Sequence, residues 1–237
     1  MRDWRDPAVY AFTAGLSPQQ WAWEFLRRNP EYRRQWQAFW VTWQALEAAY
    51  GSPPNRDFNA WKQDPRAWVP AAECGDGECR VDRDKVLIEC ALGARWGFYK
   101  FPPDPAEDDV VGRGLLVWRE PERNAPAPLD PDDADYLGAD PEKVALGFDL
   151  ALPLREQLDQ AKRLLQVLQR QRRLQPRSSA SQCTRWTLYL RLLDAEAAGA
   201  SSEVMAELCG PDGLEPNLGA ARELASGGYR RILLLPQ

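Results

Sequence analysis

Eight of the eleven tryptophans fall before residue 70. A chain that concentrates indoles this densely must build an interior around them, because each ring removes a large apolar area from water only when it is packed. The stretch from Trp4 to Trp36 also carries its own punctuation. Ser17-Pro18-Gln19-Gln20 reads as a capping box with proline at the first helical position. Leu16 and Trp21 have the spacing of a hydrophobic staple. Asn29-Pro30 stops that helix and caps the next. Residues 17–50 therefore read as two helices. In the second, Tyr32, Trp36, Phe39, Trp43, Leu46 and Tyr50 recur at steps of three and four, with Trp40 widening the stripe. The stripe calls for burial, as an aromatic core or, for some rings, as a groove for a partner.

Beyond Gly51–Asp57, a turn containing Pro53-Pro54, the pattern changes. Val81–Cys90, Trp96–Phe101 and Gly114–Arg119 are short apolar runs with turns between them and read as strands of a small antiparallel sheet. Pro121–Pro141 is rich in proline, aspartate and alanine and reads as a linker, and Val144–Leu150 as one more strand. The rest reads helical. Leu154, Leu158, Ala161, Leu165 and Leu168 form one stripe expected to be buried, with Lys162, Arg163, Arg170, Arg172 and Arg173 largely elsewhere. A polar loop, Gln175–Ser181, leads to a helix carrying Trp186, Tyr189, Leu190, Leu193 and Ala197 and ended by Gly199. Ser201 or Ser202 caps a short helix reaching Leu208, closed by Gly210-Pro211. Leu218–Ala225 forms another, broken at Gly227-Gly228, and Tyr229–Leu235 is a final apolar segment. Two short helices about a glycine-containing turn have the outline of a helix-turn-helix. The expected class is α+β, mainly α. A tryptophan-rich helical domain with a small antiparallel sheet (1–120) is followed by an acidic, proline-rich linker (121–143) and a helical domain with a variant helix-turn-helix (144–237).

The composition excludes several chemistries. The chain has no histidine, so a Ser-His or Cys-His nucleophile pair does not exist in it. Gly112-Arg113-Gly114 is too short for a phosphate loop. Five scattered cysteines fit a reducing compartment better than a disulfide framework. Cys74 and Cys79 flank a tight turn, and a zinc half-site there would need a second pair that the chain lacks. The expectation is no metal, no cofactor and no enzyme. With no apolar run near the roughly 20 residues of a membrane helix and no apolar leader region, no membrane association and a cytoplasmic location are expected.

A net charge of −5 hides segregation. Pro102–Asp149 holds thirteen acids against four bases, and Arg155–Arg191 nine bases against two acids. Arg27, Arg28, Arg33 and Arg34 surround the Asn29-Pro30 junction. They are either a solvated helix end or a contact for phosphate or an acidic protein partner.

The run WRDPAVYAFTAGLSPQQWAWEFLRRNPEYR resembles the N-terminal regulator-like domain that precedes RovC-type DNA-binding domains in proteobacteria. Trp96-Gly97-Phe98 through Asp104-Pro105, with Leu116-Val117-Trp118, resembles the later part of that domain. LALPLREQLDQAKRLL, LRLLDAEAAGASSEVMAELCG and ASGGYRRILL resemble the RovC-like domain itself. Members of that family are transcription factors, including activators of type VI secretion genes and of conjugative-element transfer, and related single-domain proteins are antiactivators that bind an activator. The resemblance implies that Ser201–Leu208 opens a variant helix-turn-helix and that the helix reaching Gly227-Gly228-Tyr229-Arg230 reads DNA. It implies double-stranded promoter DNA as partner. Arg170, Arg172, Arg173, Arg177 and Arg185 would hold phosphates, with Arg222, Arg230 and Arg231 near the groove. The N-terminal domain would support a homo-oligomer or contact RNA polymerase. One departure matters. Where the family has a longer arginine-rich helix, Pro211–Ser226 carries Arg222 as its single base, and Asp194–Gln237 holds seven acids against three bases. That deficit keeps open an alternative: an antiactivator or accessory subunit that binds a related regulator without binding DNA tightly.

Overall fold

The helix starts written into the sequence are where the chain turns. In the computed structural model, which describes residues 2–73, 84–99, 101–108, 110, 113–119, 144–174 and 178–235, a 3-10 turn over Pro7–Thr13 leads to α1 (Pro18–Leu26). Ser17 and Gln20 form the reciprocal capping box that the sequence calls for. Asn29 caps α2 (Pro30–Tyr50), its Oδ1 accepting from the Glu31 and Tyr32 amides at 2.8 and 3.0 Å. Short α3 (Phe58–Trp61), β1 (Trp68–Pro70), β2 (Lys85–Leu87) and α4 (Ile88–Trp96) follow. Then come α5 (Leu154–Gln171), α6 (Ser179–Ala197), α7 (Ser202–Ala206) and α8 (Pro211–Glu223). A π-helical turn, Leu224–Gly228, joins α8 to α9 (Tyr229–Ile232). Among the described residues the protein is mainly helical, with one two-stranded antiparallel sheet in which Val69 faces Val86.

The β content is smaller than the sequence patterns predict. Of Val81–Cys90, the described part is strand only over Lys85–Leu87, and Ile88 already begins α4. Trp96 is helical, and Trp96–Phe101 and Gly114–Arg119 contribute one antiparallel bridge, Phe98 with Trp118. The described residues of Val144–Leu150 form no strand. The Cys74–Cys79 turn, the 121–143 linker and Arg177 lie outside the described residues.

The chain divides into two units, Met1–Pro121 together with Ser178–Gln237, and Glu122–Arg177. The segment 144–237 that the sequence reading groups as one domain is thus distributed over both. In the first unit, the N-terminal aromatic residues and the C-terminal helices share one core. Trp21 and Phe25 of α1 pack edge-on against Trp186 of α6, with ring centroids 5.3 and 6.1 Å apart. Each such pair adds about 0.5–1.5 kcal/mol beyond area burial. Tyr229 of α9 is buried against Trp118, and its hydroxyl donates to the Trp96 carbonyl at 3.0 Å. The Asn29 side chain, besides capping α2, donates from Nδ2 to the Ala225 carbonyl at 3.0 Å.

A second cluster gathers Trp43, Leu46, Trp61, Val86, Leu87 and Cys90 around the sheet. A third holds Trp4 against Leu192, Met205, Leu214 and Leu218. In the second unit α5 is an amphipathic helix with no buried residue; Leu154 and Leu158 are exposed by 50% and 56%. The periodicity that identifies it as a helix is there, but the burial expected of its leucine stripe is not.

Candidate interaction surfaces and the ionic junction

Of the four arginines around Asn29-Pro30, the structure turns two inward. Arg28 follows Arg27, the C-cap of α1, and its side chain is 6% exposed. Its Nε and Nη2 donate to the two carboxylate oxygens of Asp194 on α6 at 2.8 and 2.9 Å, and Nη1 to Glu24 Oε2 at 2.6 Å. Tyr10 donates its hydroxyl to Asp194 Oδ2 at 2.6 Å. Arg27 extends the network to Glu24 Oε1 at 3.3 Å and Asp108 Oδ1 at 3.0 Å, and Arg2 reaches Asp108 at 3.1 Å. Burial opposes the charge of Arg28, yet Glu24 and Asp194 outweigh it and raise its pKa above the ordinary arginine value. Burial, followed by the hydrogen bond and charge of Asp194, raises the Tyr10 hydroxyl well above its ordinary value. Arg28 thus joins α1 to α6, while Arg27 ties α1 to the loop at Pro105 and Asp108.

The other two arginines point elsewhere. Arg33 donates from Nε to the Arg27 carbonyl at 2.7 Å, and its pKa is lowered by burial and by the neighbouring Arg28. Arg34 pairs with Glu31 on the surface of α2, and that pairing lowers the Glu31 carboxyl to about 2.

Arg34 stands on the rim of an apolar groove of about 630 Å³ between α2, α4 and β1. On α2 the floor is Ala38, Phe39, Val41, Thr42 and Ala45; on α4 it is Ile88, Ala91 and Leu92; Trp68 and Val69 close the side. Arg34, Arg66 and Arg95 are the charged residues of its lining. Neither Arg66 nor Arg95 was singled out by the sequence, where isolated arginines carry no periodic signal.

Where the sequence suggests a helix-turn-helix, the structure has two consecutive helices, α7 and α8, with Gly210 in the turn between them. Ser201 Oγ caps α7 by accepting from the Val204 amide at 3.4 Å. The cations expected near a DNA groove all have partners within the chain. Arg222 Nε donates to Glu196 at 3.0 Å, and its pKa is raised chiefly by that hydrogen bond. Arg231 pairs with Glu223. Arg230 Nη2 donates to the Arg95 carbonyl at 2.5 Å. Tyr229, beside Arg230 in the signature that the resemblance places on a reading helix, lies in the shared core. Glu203, Glu207, Asp212, Glu215 and Glu223 lie on α7, α8 and the turn between them, against Arg222 as the base.

The cations expected to hold phosphates fall in two places. Arg170, Arg172 and Arg173 are exposed at the C-terminal end of α5, with Arg173 in the left-handed region at φ 53°. Arg185 is exposed on α6. Among the described residues, no group of three Asp, Glu or Cys side chains gathers as a metal site, and no helix is long and apolar enough to cross a membrane.

Residues 3–50 match the family model of a proteobacterial transcriptional regulator-like domain. The comparisons with curated proteins and with solved structures each gave no match. The matched stretch holds Tyr10, Glu24, Arg27 and Arg28 of the ionic junction, and Asp194 lies outside it. A transcriptional regulator-like domain points to a regulatory rather than an enzymatic role.

Proposed function

We propose that this chain is a RovC-like transcription-regulatory protein that works by contacting another protein, a related DNA-binding regulator, rather than by reading base edges tightly itself. The observation that carries the reading is the electrostatics of the α7–α8 outline. Base readout needs donors at the groove, and phosphate binding needs several cations whose counter-ions are released into solution. Here Arg222 and Arg231 face Glu196 and Glu223, and Arg230 is held on a backbone carbonyl. Exposed pairs of this kind are individually weak, on the order of 0–1 kcal/mol, so the pairing alone would yield to a phosphate. The surplus of carboxylates around them would not, because a phosphodiester approaching Arg222 also approaches Glu196 and Glu215, and one approaching Arg231 meets Glu223.

The test pairs two measurements on the full chain. Co-purification with a related regulator encoded nearby, together with loss of that regulator's gel shift, is the expected result. A tight, sequence-specific shift by this chain alone at physiological salt would overturn it.

One observation favours a second reading, direct binding to promoter DNA as a homo-oligomer that recruits RNA polymerase at secretion or mobile-element genes. Arg170, Arg172 and Arg173 form an exposed basic end on α5, and Arg185 is exposed on α6. An oligomer multiplies weak phosphate contacts. This reading requires a shift that falls steeply with salt and weakens when Arg170, Arg172 and Arg173 are replaced by alanine.

A further inference from the structure

The groove between α2 and α4 has the form of a helix site lacking its third helix. Its α2 wall uses Arg34, Ala38, Val41, Thr42 and Ala45, and its α4 wall Ile88, Ala91, Leu92 and Arg95. Both are the i, i+3, i+4, i+7 stripes through which helices pack. From Arg34 to Ala45 the α2 wall runs about 16 Å at 1.5 Å per residue, or three turns. Ala38, Ala45 and Ala91 leave the walls shallow, so a helix backbone can approach closely. Val41 is 58% exposed to water on this floor, an apolar surface that only an occupant would cover.

Charge selects the occupant. The lining contains three arginines and no carboxylate. Arg34 and Arg95 mark one end of the two helical walls, and Arg66 lies beside β1. Arg34 and Arg66 keep the local partners Glu31 and Asp64, and Arg95, which also feels Glu31, donates to Gln35 at 3.4 Å, so three guanidiniums meet two neighbouring carboxylates. The amphipathic α5 of a second copy is a poorer candidate, since it carries four bases (Arg155, Lys162, Arg163, Arg170) against two carboxylates (Glu156, Asp159), and its net positive charge would meet the arginine rim with like sign.

We propose that this groove receives an amphipathic helix of about three turns from a partner protein, apolar on one face and carrying carboxylates toward its ends. The inference rests on the protein-contact reading above and supplies the surface for it.

The probe is a fluorescein-labelled, helix-locked peptide of about three turns, with leucines at the contacting spacing and glutamates at both ends. Its control has lysines in place of the glutamates. Fluorescence anisotropy with the full chain should show binding of the acidic peptide and at least about tenfold weaker binding of the lysine form. Val41→Glu and Arg95→Glu should each weaken the acidic peptide by about tenfold, and Arg95→Glu should narrow the preference between the two peptides. Ala45→Glu, also at an exposed position, stands in if Val41→Glu loses its far-ultraviolet circular dichroism. Failure of the acidic peptide to bind overturns the proposal. So does equal binding of both peptides, binding that survives both substitutions, or self-association of the chain that Val41→Glu abolishes. The regulator assay separates the two levels. Regulator binding that persists in Val41→Glu removes the groove and leaves the function. Peptide binding without regulator binding does the reverse.

Discussion

Asp194 on α6 accepts both arms of the Arg28 guanidinium from the end of α1, across 166 positions of sequence, while Tyr10 donates to the same carboxylate. This bidentate pair is nearly out of water, with side-chain exposures of 6% and 9%. A buried pair of this kind adds little net stability over an apolar pair of similar shape, but breaking it strands a charge. Asp194→Ala should therefore cost about 3–5 kcal/mol, and Arg28→Met a comparable amount. The double variant should cost clearly less than their sum. Urea unfolding of the four proteins, read as a double-mutant cycle, checks this; strict additivity would show that the pair does not couple the two helices.

The same junction sets an alkaline limit. Tyr10 has its pKa raised by burial, then by the hydrogen bond and charge of Asp194, and burial likewise raises Tyr32 and Tyr229. The unfolded chain releases these protons near the ordinary value of 10 while the folded chain retains them, so the folded state binds more protons above that pH. Stability is then full below pH 10 and falls as pH rises from there toward the folded values. Tyr10→Phe should flatten that fall. Urea midpoints measured between pH 8 and pH 11 test the sign; a midpoint that rises with pH would contradict it.

Gly97 ends α4 at φ 89°, with the Phe98 amide reaching back to the Gly93 carbonyl at 2.8 Å. That closure aims Phe98 at Trp118, whose ring stacks on it with centroids 4.2 Å apart. A Cβ at Gly97 would touch the Trp118 ring at 3.8 Å, an ordinary contact, so the cost lies in the backbone. Gly97→Ala should lose about 1–2 kcal/mol from the left-handed conformation alone, visible as a lower melting temperature with an unchanged near-ultraviolet tryptophan signal.

Isolated residues 1–121 should retain helical far-ultraviolet circular dichroism but lose the near-ultraviolet aromatic signal. Without 178–237, Trp21, Trp23 and Phe25 lose Trp186, Tyr189 and Tyr229 as neighbours in the shared core. Adding the 178–237 segment in trans should restore the signal. A fully structured fragment would show that the N-terminal core closes by itself.

What the sequence discloses follows the range of the interaction. Ser17 with Gln20 and Asn29 with Pro30 are local devices, and the structure uses both as read. The α2 stripe is equally local, and Tyr32, Trp36, Trp43 and Leu46 are buried. Val86-Leu87-Ile88 misleads because a short apolar run has no period to separate strand from helix; the chain changes from β2 to α4 inside it. The leucine stripe of α5 specifies a helix but not what covers it. Arg27 and Arg28 look like a solvated helix end because the carboxylate that turns Arg28 inward lies on α6. Their other partner, Glu24, is the one member of the junction that helical spacing could have found, at i+3 and i+4. The groove was half legible: Arg34 stood out, while Arg66 and Arg95 join it only through the folding of β1 and α4 onto α2.

The placement of Trp186 against Trp21 and Phe25 also imposes a schedule on biosynthesis. The α1 indoles leave the ribosome long before the helix that covers them exists; at about 5–20 residues per second, the 165 positions from Trp21 to Trp186 correspond to roughly 8–33 s. During that interval the nascent chain presents those rings without their cover, so the first fifth of the polypeptide is an aggregation-prone surface until the last quarter arrives.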